Sequence, residues 1–271
     1  MITPLDRADY GRVRPLCLPL AYHLCCAAVL DGHNPGTVLV DDPSDPQSAF
    51  IFSPEGSYLV GEPHNEAFNR ALNRAFYDRV TLGEVHALFF VVHPASWEGP
   101  LPAMLGGRVP LRMERRRYVC REAKYDWGAH VPKGYSVQRI DQALLERAEL
   151  RVPDHMRGWM EGNWGSTADF LNKGFGVVTI HNDRVVSWSL ADCRSGDACE
   201  IGIHTLPEYR RRGLGAITAA AAVEHALTHG YALVGWHCNE DNLGSIGTAE
   251  KAGFELERRY AMLYAFLDEA C

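Results

Sequence analysis

Apolar and polar positions recur along this chain with two periods, and each change of period marks a new element. In the second half, residues 135–140, 175–181, 185–192, 200–205, 231–237 and 254–266 read as strands, rich in β-branched and aromatic residues. Between them, 142–150 reads as a helix and 155–171 as a second, broken one. The alanine-rich stretch 214–228 reads as a helix ended by Gly230, and 243–252 as a helix ended by Gly253. Asn182-Asp183, between two strands, is a turn pair. In the first half the same reading gives helices over 18–30 and 66–78, and strands over 37–40, 49–52, 58–60 and 87–92. The mixture predicts an α/β (α+β) fold in two parts, 1–125 and 130–271. They meet in 122–134, where Asp126, Trp127, Gly128, Pro132 and Gly134 interrupt any periodicity. This join is short and aromatic, so the parts are expected to pack together and not to move as tethered modules.

One segment carries chemistry. Pro207-Glu208-Tyr209-Arg210-Arg211-Arg212-Gly213-Leu214-Gly215 links the strand 200–205 to the helix 214–228. Gly213 and Gly215 let an anion approach the backbone. The first N–H groups of the helix have no intrahelical partner, and the helix dipole favours negative charge there. The spacing fits neither the G-x-G-x-x-G dinucleotide fingerprint nor the Gly-Lys-Ser/Thr end of a P-loop.

Arg210-x-x-Gly213-x-Gly215 resembles the acyl-CoA pyrophosphate loop of the GCN5-related N-acetyltransferase (GNAT) family, written Arg/Gln-x-x-Gly-x-Gly/Ala. Pro207 and Tyr209 match common family usage. Asn242, Ser245 and the closing Glu250-Lys251-Ala252-Gly253-Phe254 resemble the second family signature. From residue 135 onward the elements follow the family's β-α-α-β-β-β-α-β-α-β order. The resemblance therefore implies a GNAT fold, a mixed central sheet flanked by helices, over the second half. In the first half Arg115-Arg116-Arg117-Tyr118-Val119 resembles Glu257-Arg258-Arg259-Tyr260-Ala261, which suggests an internal duplication. Yet after Val60 it reads Gly61-Glu62-Pro63-His64-Asn65, without the second glycine. The first half is thus either a degenerate GNAT-like unit that has lost CoA binding or an unrelated α/β domain.

The resemblance implies acetyl-CoA as co-substrate and an N-acetyltransferase reaction by direct attack of a primary amine, on a small molecule or a polypeptide. It assigns the pyrophosphate to Arg210, Arg211, Arg212, Gly213, Leu214, Gly215 and Ala216, and the pantetheine to Ile203, His204 and Thr205 with Asn242 and Ser245. Asn242 is equally suited to cap the following helix. For the base, Glu200 and His204 lie four apart on one strand and face one side. Glu200 is the family's choice, whereas a histidine titrates nearer neutral pH. The plainer readings are a solvated strand end and a partly buried histidine. The family's usual acid is a Tyr where this chain has Ala249. Ser245, Cys238, Tyr260, Tyr264 or water is left to serve the thiolate. The acceptor wall would be 156–165, with Trp159, Glu161 and Trp164 facing a cationic, partly apolar amine, or with both Trp as packing anchors.

Composition adds limits. At 271 residues and 46% apolar content the chain supports one large or two ordinary globular domains. A net charge of −7 offers no general basic surface. That weighs against nucleic acid, and so against an aminoacyl transferase that pairs two GNAT units and reads charged tRNA. A non-catalytic acyl-CoA sensor or scaffold is the other alternative. No apolar run approaches the ~20 residues of a membrane span, and the start lacks the pattern of a signal peptide, so a cytoplasmic location is expected. The eight cysteines show no C-x-x-C spacing and read as thiols, although Cys193 and Cys199 flank a turn that a hairpin disulfide would suit. The twelve histidines lack zinc-ligand spacing, so no metal is expected. The chain is expected to act as a monomer or homodimer.

Overall fold

The computed structural model describes residues 2–81 and 87–266, so Cys271 lies outside them. By internal contacts the chain divides into Met1–Glu114 with Ala261–Cys271, and Arg115–Tyr260. Among the described residues no helix is long and apolar enough to cross a membrane.

The first unit holds β1 (Thr3–Pro4), α1 (Arg14–Cys17), α2 (Leu24–Leu30), β2 (Thr37–Val40), β3 (Ser48–Ser53), β4 (Gly56–Gly61), α3 (Glu66–Thr81), β5 (Ala87–His93) and α4 (Leu101–Met104). The helix expected over 18–30 begins at Leu24, because Pro19 has no N–H to continue it and Leu18–Leu20 forms a 3-10 turn. Next comes β6 (Leu111–Cys120). The second unit continues with β7 (Tyr135–Arg139), α5 (Gln142–Leu145), α6 (Asp154–Trp164), α7 (Thr167–Lys173), β8 (Gly176–His181), β9 (Arg184–Ser195) and β10 (Ala198–Thr205). It closes with α8 (Leu214–Thr228), β11 (Leu233–Asn239), α9 (Leu243–Lys251) and β12 (Glu255–Phe266).

Strands of the second unit run in the order β6-β11-β10-β9-β8-β7. All neighbours are antiparallel except β10 and β11, which are parallel across the α8 crossover. Asn182 and Asp183 adopt left-handed backbone (φ 50° and 51°), which makes the tight turn between β8 and β9. The broken helix over 155–171 is two helices. Gly165 (φ 87°) ends α6, and Ser166 Oγ caps α7 by accepting from the Asp169 N–H at 3.0 Å. The helix expected over 142–150 stops at Leu145. Arg151 is drawn out to bridge Arg184, accepting from the Val185 N–H and donating to the Asp183 carbonyl. The alanines of α8 let the helix lie close on the sheet. Ala219, Ala222 and Ala226 are fully buried, and Thr218 meets Thr179 at 2.7 Å.

In the first unit the strand order is β1-β2-β3-β4-β5-β12, with β4 and β5 parallel. The two halves repeat one order of elements, down to a parallel pair joined by a helix (β4-α3-β5 and β10-α8-β11). The last strand of each half is not kept by its own half. Residues 115–120 of β6 pair with β11, and 263–266 of β12 pair with β5. The contact division therefore falls at 114/115 and 260/261 rather than in 122–134. Broken periodicity marks where the chain turns, whereas sheet membership is set by pairing.

His225 in α8 makes the fold sensitive to acid. Burial, then His229 at 3.9 Å between ring centroids, then Arg139, push it down to about 4 from 6.5. Its folded value lies below the unfolded one, so the unfolded chain takes the proton first as pH falls. Stability from this group is whole above about pH 6.5, declines toward pH 4 and is lost below it. In thermal melts, His225→Gln is expected to flatten the loss of Tm between these values relative to wild type.

Candidate functional site

The parallel pair β10 and β11 is joined only at Ala198↔Leu233, Cys199↔Val234 and Glu200↔Gly235. Beyond Glu200 they part, β10 staying with β9 and β11 with β6. Beside the gap a cavity of about 510 Å³ is lined by Ile203, His204 and Thr205 of β10, the turn into α8, and α9. Of the residues proposed from sequence for a cofactor, Arg210, Arg211, Gly213, Leu214, Gly215, Ala216, Asn242 and Ser245 also line it. Arg212 does not, because its guanidinium donates to the Glu208 carbonyl (3.0 Å) and the Tyr135 hydroxyl (3.3 Å). Arg210 Nε ties the turn to the Thr205 carbonyl at 3.0 Å.

The turn is shaped for an anion by its backbone. Arg211 (φ 61°) and Gly213 (φ 81°) are left-handed, a conformation that gathers successive N–H groups on one side. Gly213 is the N-cap of α8 and supplies no side-chain cap, so the first N–H groups of the helix remain for a ligand. A β-carbon on Gly215 would lie 3.3 Å from Thr248 and 3.4 Å from Thr205. The corresponding turn of the first unit is closed. There β4 stays paired with β5 through Val60, Glu62 accepts from the His64 N–H (2.8 Å), and Asn65 accepts from the Phe68 N–H (3.1 Å). A carboxylate and an amide of the chain itself thus accept from N–H groups of this turn and of the first turn of α3.

Five lining residues were not singled out from sequence as site residues: Tyr209, Gly244, Gly247, Thr248 and Lys251. The ammonium of Lys251 lies 3.5 Å from where a Gly213 β-carbon would be. Its signal was the Lys of the second signature. Lys251→Ala is expected to weaken acetyl-CoA binding about 10-fold, the order of one charge-assisted hydrogen bond. Calorimetry at two ionic strengths should also show a shallower salt dependence than wild type.

Glu200 is not a solvated strand end. It is 5% exposed, at the last paired position before the strands part. Its Oε1 lies 3.0 Å from His237 Nε2, and Cys193 donates its thiol to Oε2 at 3.4 Å. Cys193 faces Glu200 and Cys199 faces Arg194, so the two cysteines are not cross-strand partners. Gly235 makes room, because a β-carbon there would come 2.8 Å from Glu200 Cγ. His204 does not join Glu200. Four residues of strand separate them by about 13 Å, and His204 stacks on Trp188 at 4.5 Å, edge-on to His155 at 5.1 Å. Burial first, then His155 and Arg210, hold His204 below the ordinary histidine value, so it is neutral at pH 7.

The acceptor residues expected from 156–165 separate. Trp159 lies over Gly202 of β10, its ring in the space of the β-carbon that glycine lacks. Its indole N–H donates to Asp192 Oδ1 at 2.8 Å. Trp164 is a packing anchor, 3% exposed, donating to the Ala191 carbonyl and edge-on to Phe170. Glu161 is exposed and accepts from Thr167. The carboxylate beside Trp159 is instead Asp192, which also accepts from Asn163 Nδ2 at 3.1 Å. Asp192 is the residue left over where the β9 register shifts between Cys193 and Ala191. Neither hydropathy nor motif marks it.

Asn242 Oδ1 caps α9 by accepting from the Ser245 N–H (3.0 Å), which leaves the amide nitrogen for another acceptor. Ala249 is buried. Among the substitutes for a tyrosine at that place, only Ser245 lines the cavity, its Oγ accepting from Trp236 Nε1 at 3.0 Å. Cys238 is buried and its thiol is pushed up by that burial. Tyr260 bonds His237, and Tyr264 stacks on Phe89 in the first unit.

A mixed sheet that parts beside a Gly-rich, uncapped helix start is suited to hold a phosphate-bearing ligand. The chain belongs to the GNAT acetyltransferase family, whose model matches residues 17–263. It is 27% identical over 239 residues to the uncharacterized N-acetyltransferase YdfB of Bacillus subtilis, covering 88% of each chain. Among solved structures it is similar to a GCN5-related N-acetyltransferase-like protein of Streptococcus suis, with 25% identity, 96% and 98% of the two chains covered and a TM-score of 0.70. It also shares its fold with a tandem GNAT protein of the clavulanic acid biosynthesis pathway, at 16% identity, 100% and 99% coverage and a TM-score of 0.58. The family model spans both halves of the chain, and the Gly-rich turn lies in the second.

Proposed function

We propose that this protein transfers the acetyl group of acetyl-CoA to a primary amine by direct attack, using the second unit alone. The observation that carries this reading is the gap between β10 and β11, with an anion-binding turn at one end and the buried Glu200 at its vertex. The pyrophosphate rests on the N–H groups from Arg211 to Ala216, and the pantetheine follows the open edge of β10 at Ile203 and Thr205. The amine nitrogen attacks the thioester carbonyl. Glu200 takes its proton, directly or through one water, as the N–C bond forms and the C–S bond breaks. CoA leaves as a thiolate, toward which Ser245 turns its hydroxyl hydrogen. Most of the rate comes from positioning. Asp192 and Trp159 suit an acceptor with a cationic amine on a partly apolar body.

Ala249 favours a second reading, an acyl-CoA sensor without turnover. Calorimetry with acetyl-CoA, followed by thiol release over a panel of primary amines, separates the two. Amine-stimulated release supports transfer, and tight binding with no release from any amine supports the sensor. Absence of acetyl-CoA binding overturns both.

A further inference from the structure

We propose that His237, Tyr260 and Arg115 form a directed hydrogen-bond chain that positions Glu200 as proton acceptor; the inference rests on the reading of Glu200 as base. The four side chains come from four strands, β10, β11, β12 and β6. Glu200 Oε1 lies 3.0 Å from His237 Nε2, His237 Nδ1 lies 2.9 Å from the Tyr260 hydroxyl, and Arg115 Nε lies 3.0 Å from that hydroxyl. Arg115 is itself anchored, donating from its other arm to Asn239 Oδ1 at 2.8 Å.

The direction of the chain follows from its far end. A guanidinium has donors only, so the Tyr260 oxygen accepts from Arg115 and turns its own hydrogen toward His237 Nδ1. Nδ1 then accepts, which puts the ring hydrogen on Nε2. That hydrogen points at Glu200 Oε1. Histidine tautomers are set in this way by whatever the second nitrogen meets. The opposite tautomer would face the carboxylate with a lone pair and push it away. The bond is made at the vertex, where Glu200 pairs with Gly235 for the last time and the missing β-carbon of Gly235 lets the carboxylate lie across β11. Glu200 is therefore aimed by β11, β12 and β6 rather than by its own strand. In the reaction one proton moves to this carboxylate from the nitrogen of the neutral amine as the N–C bond forms and the C–S bond breaks. His237 and Tyr260 keep theirs, and act by position.

The test uses the full chain with acetyl-CoA and three amines, benzylamine, spermidine and a lysine peptide. Tyr260→Phe is expected to lower kcat about 10-fold with both KM values within about twofold of wild type, the pattern of a misplaced base. The amide nitrogen of Gln overlays Nε2, and that of Asn overlays Nδ1. His237→Gln should therefore retain most of kcat, whereas His237→Asn should lose about 100-fold, the order of a general-base contribution forfeited when the carboxylate is no longer held. Nitrogen-15 spectra of the wild-type imidazole should show the hydrogen on Nε2, with the population shifting toward Nδ1 in Tyr260→Phe. A wild-type hydrogen on Nδ1, or His237→Gln no better than His237→Asn, overturns the proposal. If acetyl-CoA binds and no amine is acetylated, the catalytic reading of Glu200 fails, and with it the role given to the chain. The spectra then still report whether the chain is directed as drawn.

Discussion

Gly215→Val is expected to abolish measurable acetyl-CoA binding, a loss of about 100-fold or more, the cost of two to three phosphate hydrogen bonds. The reason is local. A β-carbon at 215 already stands 3.3 Å from Thr248 and 3.4 Å from Thr205, so two further methyl groups have only the cavity to enter. They would cover the N–H groups at the start of α8. Gly215 has ordinary helical backbone, so the thermal midpoint should change little. Gly213→Ala is the contrast. Its φ of 81° is left-handed, and alanine there should cost stability on the order of 1–2 kcal/mol. Substitutions at Glu62 or Pro63, in the closed turn of the first unit, should leave affinity intact. Titration calorimetry on the four variants decides it, and equal losses in both turns would show that the first unit also takes the cofactor.

Glu200→Gln is expected to lower kcat by about 10²–10³ with acetyl-CoA affinity unchanged, the usual scale for removing a general base. Gln keeps the volume in front of Gly235, so packing survives while basicity is lost. His204→Gln should have a smaller effect on kcat and a larger one on acetyl-CoA KM, because His204 lines the cavity and stacks on Trp188, apart from Glu200. Steady-state kinetics of the pair separates the roles. A Glu200→Gln enzyme with wild-type kcat would hand the proton to His204 or to solvent.

Much of this was legible from local pattern. The strands β2 and β5 and the helices α3, α8 and α9 fall within a few residues of their expected positions, since each carries its own period and its own stop signal. Turn chemistry was equally plain: Asn182-Asp183 is left-handed as its residue types allow, and the glycines at 213 and 215 open the start of α8. The turn itself, Arg210 through Gly215, was readable because its chemistry is contained in six consecutive residues.

What the sequence by itself determined is therefore the order of elements, the family, the Gly-rich turn that opens α8, and the lack of a second glycine after Val60, where Glu62 accepts from the His64 N–H. The tertiary structure alone decided which groups meet. Glu161 and Trp164 lie in the segment expected to face an acceptor, yet one is exposed and the other is core, because a helix has one buried face and Trp159 took the position over Gly202. Asp192 reached Trp159 through a one-residue shift of register that no periodicity records. His237 met Glu200 because two parallel strands stop pairing at that residue, and Arg115 and Tyr260 followed because β6 and β12 lie far from them in the chain and near them in the sheet. Local sequence fixes backbone conformation over a few residues. Partners across a sheet are chosen by register and by the sum of its packing, which no single segment contains.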